Sequence, residues 1–377
     1  DYHQAKIVSP NSNNLIGFGE KSEYSKVFDQ FTGSKDPLLT NATISELTEI
    51  HRQKEGSNIL DFADYYADVI DSRIGNKKEK PIKPKANEKD VSYINKNDVV
   101  SRIVDDINNG KDAIYIAHTN KDVTVTNNEI RKVVSKDPES EYSVGDRMIA
   151  YANYSTPGEP PIITNSERLI VVNVENATSK EIANEKVKQS NGNRTYDFKY
   201  RTEDASGKKI LYKKLTLERK SDSSDSEYIT VIVPDGLLRK VIKAFENQAT
   251  GSFDAKYKDL LTSYIYADGY QYGPNKDTLN FFSAGSGLSY GYAITAHKSQ
   301  GSTVDIVYTT LPSDPNLAYV AITRAREKVN IVGKEDSQAY NPQSEPDVDP
   351  NNKYKTISKD DIEAAKDIMS NNKKECE

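Results

Sequence analysis

Tryptophan is missing from this 377-residue chain, and cysteine, methionine and histidine are nearly so, at one, two and four copies. The lone cysteine, Cys376, excludes a disulfide framework and any cysteine-built zinc site. His3, His51, His118 and His297 stand without ligand spacing, so no metal site is expected in these residues. No apolar run approaches the ~18 residues of a membrane span and no secretory leader is visible, which suits a cytoplasmic protein without membrane partners. Positive charge is not in excess either, since 51 Lys and Arg against 57 Asp and Glu leave a net charge of −6. That balance argues against a broad basic coat for nucleic acid and leaves room for a narrow charged groove. Finally, no Gly-x-x-x-x-Gly-Lys-Ser/Thr loop occurs. Gly110-Lys111, Gly207-Lys208 and Gly333-Lys334 are each followed by another residue type, so these residues offer no cradle for β- and γ-phosphates.

What is present is organised. Residues 1–42 are Ser-, Asn- and Gly-rich, with a short helix expected around Tyr24–Phe31. Thr43-x-x-Glu46 has the form of a capping box, and Ser57 opens a helix in which Ile59, Leu60, Ala63, Tyr66, Ala67 and Ile70 recur at helical spacing. A basic, proline-broken connector follows over Gly75–Asp90. Helix Val99–Ile107, strand Ala113–Ala117 and helix Asn127–Val134 then alternate as in a parallel sheet with helices on its faces. Five strand-like runs follow, at Arg147–Tyr151, Arg168–Val174, Tyr196–Tyr200, Lys209–Leu217 and Glu227–Val233. Their rhythm predicts a small barrel over about Ser143–Pro234. Two helices, built on Leu237–Phe245 and Phe253–Tyr264, close that region. A strand through Tyr290, Tyr292 and Ile294, a strand Val304–Thr309, a helix Asp314–Glu327 and a strand Lys328–Val332 resume the α/β pattern. Residues 335–377 read as a linker and a tail helix from Ser358 to Met369.

Two segments carry the chemistry. In Thr295-Ala-His-Lys-Ser-Gln-Gly-Ser302 a strand ends in a turn dense with hydrogen-bonding groups. Hydroxyls and backbone N–H groups suit phosphate oxygens, Lys298 adds charge, and Gly301 permits a close backbone approach. A lone polar turn would usually be only a turn; this combination after an apolar strand points to binding. In Leu317-Ala-Tyr-Val-Ala-Ile-Thr-Arg-Ala-Arg326, Arg324 falls four residues after Val320 and seven after Leu317, on the inward stripe of the helix. An arginine there must be buried against an anion, a structural carboxylate or a bound phosphate, or must snorkel out; a γ-phosphate is a good anion for it. Arg326 points elsewhere, as a surface charge.

Ala293–Thr303 and Leu317–Arg326 resemble motifs V and VI of superfamily 1 helicases of the RecD/Dda type, which carry a UvrD-like C-terminal helicase domain. Asp1-Tyr-His-Gln4 resembles the tail of motif III, and Leu47-Thr-Glu-Ile-His-Arg-Gln53 resembles motif IV. His118-Thr-Asn120 with Asn128-x-Ile-Arg131 resembles the family segment at the end of a strand of the second domain, which implies a DNA-backbone contact, and Gly145-Asp-Arg-Met-Ile149 with Asn153 and Asn165 resembles the entry to an inserted barrel. The resemblance spans nearly all of residues 1–333, and motifs V and VI are its specific part.

It implies an α/β fold in which a RecA-like, P-loop NTPase-type parallel sheet domain is interrupted by an inserted SH3-like β-barrel. The implied divisions are 1–42, the end of a first RecA-like domain; 43–142 and 276–334, the two parts of a second; 143–275, the barrel with two helices; and 335–377. ATP is the implied nucleotide, with Gln4, Arg52 and Arg324 in catalytic roles and Gln300 and Gly301 also at the nucleotide. Mg2+ would be held by an N-terminal portion that precedes Asp1. Thr119, Asn120, Thr295, His297, Lys298 and Ser299 would touch DNA. The two arginines and the Thr/His/Lys turn are expected together at one mouth of the sheet.

The implied activity is translocation on single-stranded DNA, 5′ to 3′, with unwinding at duplex junctions and replication or repair proteins as partners. The residues at hand would be inactive alone. Alternatives are a non-catalytic nucleic-acid-binding module and the helicase part of a relaxase or of a viral RNA helicase. Beginning at Asp1, the chain reads as a fragment of a longer protein, in a composition that suits a phage.

Overall fold

The structure, a computed structural model, describes residues 52–73, 81–151, 161–184, 187–191, 194–219, 226–247, 256, 260–261, 263–267 and 287–333. Helix α1 (Asn58–Arg73) follows Ser57, whose hydroxyl accepts from Ile59 N–H. Ile59, Phe62, Ala63, Tyr66, Val69 and Ile70 are buried along it. Strand β1 (Val91–Ile94) leads through a 3-10 turn at Lys96–Asp98 into α2 (Val99–Asn108), β2 (Ala113–Ala117) and α3 (Asn120–Val134). The chain then crosses into β3 (Arg147–Ala150), β4 (Arg168–Asn176), α4 (Ser179–Asn184), β5 (Val187–Asn191), β6 (Arg194–Tyr200), β7 (Tyr212–Arg219) and β8 (Glu227–Pro234). Helix α5 (Leu237–Glu246), β9 (Ile265–Ala267) and β10 (Leu288–Tyr290) complete that excursion. It returns through β11 (Ala293–Thr295), α6 (Ala296–Ser299), β12 (Val304–Thr309), α7 (Pro315–Thr323) and β13 (Ala325–Val332).

Five strands from both sides of the excursion form one all-parallel sheet in the order β1-β13-β12-β2-β11. Every residue of β2 is buried, as befits a strand covered on both faces. Helices α2 and α3 pack on each other and on β2, while α7 packs on α1 and α6 over β12 and β13. The excursion forms a second, antiparallel sheet in the order β10-β3-β4-β7-β8 and a three-stranded one in the order β5-β6-β9. An α/β domain interrupted by β structure is therefore what the chain builds.

The boundaries differ from the sequence reading in instructive ways. The run through Tyr290, Tyr292 and Ile294 is two strands in two sheets, so the antiparallel sheet extends to Tyr290, beyond residue 275. At Gly291 a Cβ would sit 3.0 Å from the Met148 carbonyl, so glycine eases the close passage of the chain from one sheet to the other. The helix expected over Asp314–Glu327 stops at Thr323, and β13 begins at Ala325, because the apolar residues of 325–332 pair along β12 and β1. Helix α3 starts seven residues earlier than expected. Its first turns are polar, and Thr119 caps them by accepting from Asp122 N–H at 3.1 Å. The expected helices at Tyr24–Phe31 and Ser358–Met369, and the capping box at Thr43, lie outside the described residues.

Candidate functional site

Parallel strands give the sheet two chemically different edges. At the edge where strands begin, Arg52 comes in ahead of α1. Its Nε donates to Thr303 Oγ1 at 3.1 Å and its Nη1 to the Thr323 carbonyl at 2.6 Å. Gln53 is buried beside it and donates to the carbonyls of Thr323 and Ala325, clasping the joint between α7 and β13. Arg324 occupies that joint and is only 3 % exposed. Its guanidinium donates to Val320 O at 3.1 Å, Thr323 Oγ1 at 3.0 Å and Ser302 O at 3.5 Å. All are neutral acceptors. Among the described residues no carboxylate pairs with Arg324 or Arg52. Burial, and then the charge of Arg52, push the Arg324 pKa down to about 10. Arg52 is lowered likewise, by burial and by Arg326. Arg326 itself is half-exposed and lies 4.0 Å from Asp305, the surface role expected of it. A buried cation without a counter-charge is costly and calls for an anion.

The other edge holds the turns that follow β2 and β11, which are neighbours through Thr295 opposite Ala117. His118, Thr119 and His297 are exposed there, and Asn120, Thr295 and Lys298 half-buried. Thr295 caps α6 by accepting from Lys298 N–H. Thr119 donates to Asp122 Oδ2 at 2.8 Å. The His297 pKa is lowered, first by desolvation, with Asp314 pulling it up and His118 pushing it down.

One expectation needs correction. The arginines and the Thr/His/Lys turn do not share one mouth. Thr295 ends its strand, whereas Thr303 and Arg324 precede theirs, so the two groups stand at opposite ends of the sheet. The segment Ala296–Thr303 crosses between them, with Gln300 half-buried and Gly301 at a φ of +85° on the way. Ser299 is buried, its hydroxyl donating to Ala296 O at 2.7 Å within the turn. Lys298 does not reach outward: its ammonium lies 4.8 Å over the Tyr151 ring and bonds Asn165 Oδ1. Arg131 is structural, because its guanidinium grips Asp146 at 2.8 Å and the carbonyls of Pro138 and Ser140. Gln4 lies outside the described residues, as do Leu47–His51 of the motif IV resemblance and Asn153.

Sequence reasoning passed over Gln53, Thr303 and Thr323, which seat the arginines, and Tyr151, which holds Lys298. Threonine and glutamine carry no charge signal, and the contacts join Arg52 and Gln53 to Thr303 and Thr323 across about 250 to 270 positions of the chain. No local pattern announces such contacts.

Residues 290–332 match the UvrD-like helicase C-terminal domain family. Over 104 residues the chain is 32% identical to a probable conjugal transfer protein TraA from Sinorhizobium fredii, covering 26% of this chain and 8% of that protein. Over 52 residues it is 46% identical to the RecBCD enzyme subunit RecD of Mycobacterium tuberculosis, covering 12% of this chain and 9% of that one. The matches thus span less than a tenth of these relatives' length. A crystal structure of Pif1 helicase from Candida albicans aligns with a TM-score of 0.38 at 14% identity, over 86% of this chain and 60% of that one. The family match and the RecD match support the resemblance to superfamily 1 helicases of the RecD type, and the family match is concentrated in the strand, turn and helix that carry the site.

Proposed function

We propose that this chain supplies the second motor domain of an ATP-dependent superfamily 1 DNA helicase, with an SH3-like barrel inserted into it. The observation that carries the reading is the pair Arg52 and Arg324, buried or half-buried, unneutralised among the described residues, and fixed by Thr303, Thr323 and Ser302. A terminal phosphate is an anion of the right size and charge for two such guanidiniums, and one arginine on a transferring phosphoryl group is worth ~10³–10⁵ in rate. ATP bound with Mg2+ would supply the free energy on hydrolysis. Arg52 and Arg324 orient its terminal oxygens, and Gln4 would add a further contact.

The segment Ala296–Thr303 is the mechanical link in this reading. A shift at Ser302 and Thr303, caused by an anion on Arg324, travels to Thr295 and His297 at the opposite edge. Those residues, with Thr119 and Asn120, would hold the sugar–phosphate backbone of one DNA strand, along which the protein moves 5′ to 3′. In this reading 43–142 and 291–334 form the motor domain, 143–290 the insert, and 1–42 the end of the preceding domain. The insert's five-stranded antiparallel sheet supports the barrel assignment. The partners are single-stranded DNA and duplex junctions, with the site for Mg2+ and the phosphate loop supplied by another portion of the protein.

A second reading, the helicase part of a conjugal-transfer relaxase, is favoured by the 104-residue match to TraA. It shares the same site chemistry and differs in the neighbouring domains. The test is strand-stimulated ATP turnover in the complete protein. Arg324→Ala should lower turnover by roughly 10³-fold while strand affinity changes less than about threefold. Turnover within about twofold of the parent removes Arg324 from the nucleotide site.

A further inference from the structure

Lys298 stands in the middle of the polar turn as its one lysine or arginine, yet it is spent on the insert. Its ammonium sits 4.8 Å from the centroid of Tyr151, the residue that follows β3, and bonds the side-chain oxygen of Asn165. Both partners are held rigidly. Tyr151 is buried, and its N–H donates to Gly287 O at 2.7 Å, next to β10. Asn165 sits on a tight turn in which Thr164 N–H and hydroxyl both donate to Glu167 Oε2, at 2.7 and 3.0 Å. Ser166, beside it, adopts a φ of +71°, and its N–H returns to Ala150 O at 2.8 Å. Strained, over-determined turns of this kind persist where a side chain must be aimed.

The same insert is fixed to the parallel-sheet domain elsewhere. Arg131 of α3 grips Asp146, and Tyr292 donates to that carboxylate at 3.3 Å. Arg147 and Arg168 both bond Asp112, the residue before β2, at 3.2 and 2.6 Å. Gly291 and Tyr292 join β10 to β11 directly. These anchors hold the insert to the sheet, and Lys298 adds one from the Thr295–Ser299 turn itself.

We propose that Lys298 is a positioning residue rather than a phosphate contact: it locks the Thr295–Ser299 turn to Tyr151 and Asn165, so that the insert sets the geometry with which the turn meets a strand. This deepens the DNA-binding reading and rests on it for the strand, though not for the lock.

The two are separable on the 377-residue chain with Lys298→Met, Asn165→Ala, their double variant and Lys298→Arg. Amide exchange is measured without nucleic acid over 287–299. Anisotropy of a labelled oligothymidylate is measured over a range of salt. The lock predicts faster exchange at Ala296–Ser299 in both single variants. It predicts a loss of affinity of up to about tenfold in each, no further loss in the double, and rescue by Arg, which keeps the cation over the ring. The slope of affinity against salt stays that of the parent. If Lys298→Met lowers that slope by about one while Asn165→Ala is silent, Lys298 contacts phosphate directly and the proposal fails with the DNA reading intact. If the parent does not bind the oligonucleotide but exchange rises in both variants, the lock stands and the DNA reading fails. Unchanged exchange in both overturns the lock.

Discussion

Arg131 and Arg324 are buried to nearly the same degree, at 5 % and 3 % exposed, in opposite surroundings. At the seam between α3 and the insert, Arg131 has Asp146 in bidentate contact, two carbonyls and the face of Tyr290 at 4.6 Å. At the joint between α7 and β13, Arg324 has two carbonyls, one hydroxyl and a second arginine nearby. The first arrangement is self-sufficient and serves stability. The second has no carboxylate partner among the described residues. Burial alone does not separate the two arginines; the counter-charge does.

The sharpest way to break this contrast is to neutralise each arginine in turn and melt the chain. Arg131→Met should cost about 3–5 kcal/mol, because Asp146 is left buried without its partner. Arg324→Met should cost less than about 1 kcal/mol or stabilise the chain, since it removes an unpaired buried charge. Equal losses, read from denaturant midpoints, would mean that Arg324 is as structural as Arg131.

A smaller effect is expected at the far edge of the sheet. Thr295→Ala with His297→Ala should weaken oligonucleotide binding by about tenfold, since two hydrogen-bonding groups are lost. His297 titrates below its ordinary range, and a bound phosphate favours its charged form. Affinity should therefore rise between about pH 7.5 and about pH 5.5, and the rise should shrink in His297→Ala. Affinity that ignores both changes places the strand elsewhere.

The smallest expected effect belongs to the seam. Glu141 is buried and accepts from Arg239 N–H at 2.6 Å and from Gly236 N–H at the start of α5. Burial nonetheless pushes its pKa up to about 7. For a carboxyl raised in the folded state, the stabilisation is full below the unfolded value of roughly 4.5 and fades as pH rises through 7. The seam should accordingly loosen between about pH 5 and about pH 8, visible as faster amide exchange in α5. Glu141→Gln should flatten that profile; a profile unchanged by the substitution assigns it to other groups.

Much of the parallel-sheet domain was legible in the sequence because its signals are local. The period-3.6 stripe of α1, the apolar run of β2 and the polar turn after β11 each announce themselves within a few residues. Less could be read where long-range pairing overrides local pattern. The alternation Tyr290, Tyr292, Ile294 looks continuous, but β10 follows β3 and β11 follows β2. Likewise the Thr-Arg-Ala-Arg run continues a helical pattern until Ala325 is drawn into the sheet. Strands β1, β5 and β9 have only four, five and three residues, too few for periodicity to register. At the site, the charged members Arg52 and Arg324 could be picked out. That they stand a sheet's length from Thr295 could not, because the order of strands, not the spacing of motifs, decides which edge a residue occupies.

The central claim is that Arg324 and Arg52 form a cation pair awaiting an anion. The direct measurement is the thermal midpoint of the 377-residue chain against rising tripolyphosphate, in the parent and in Arg324→Met. The parent should gain stability with concentration, as any ligand of the folded state requires, and Arg324→Met should lose most of that gain. Identical shifts in the two proteins, or none in either, would contradict it.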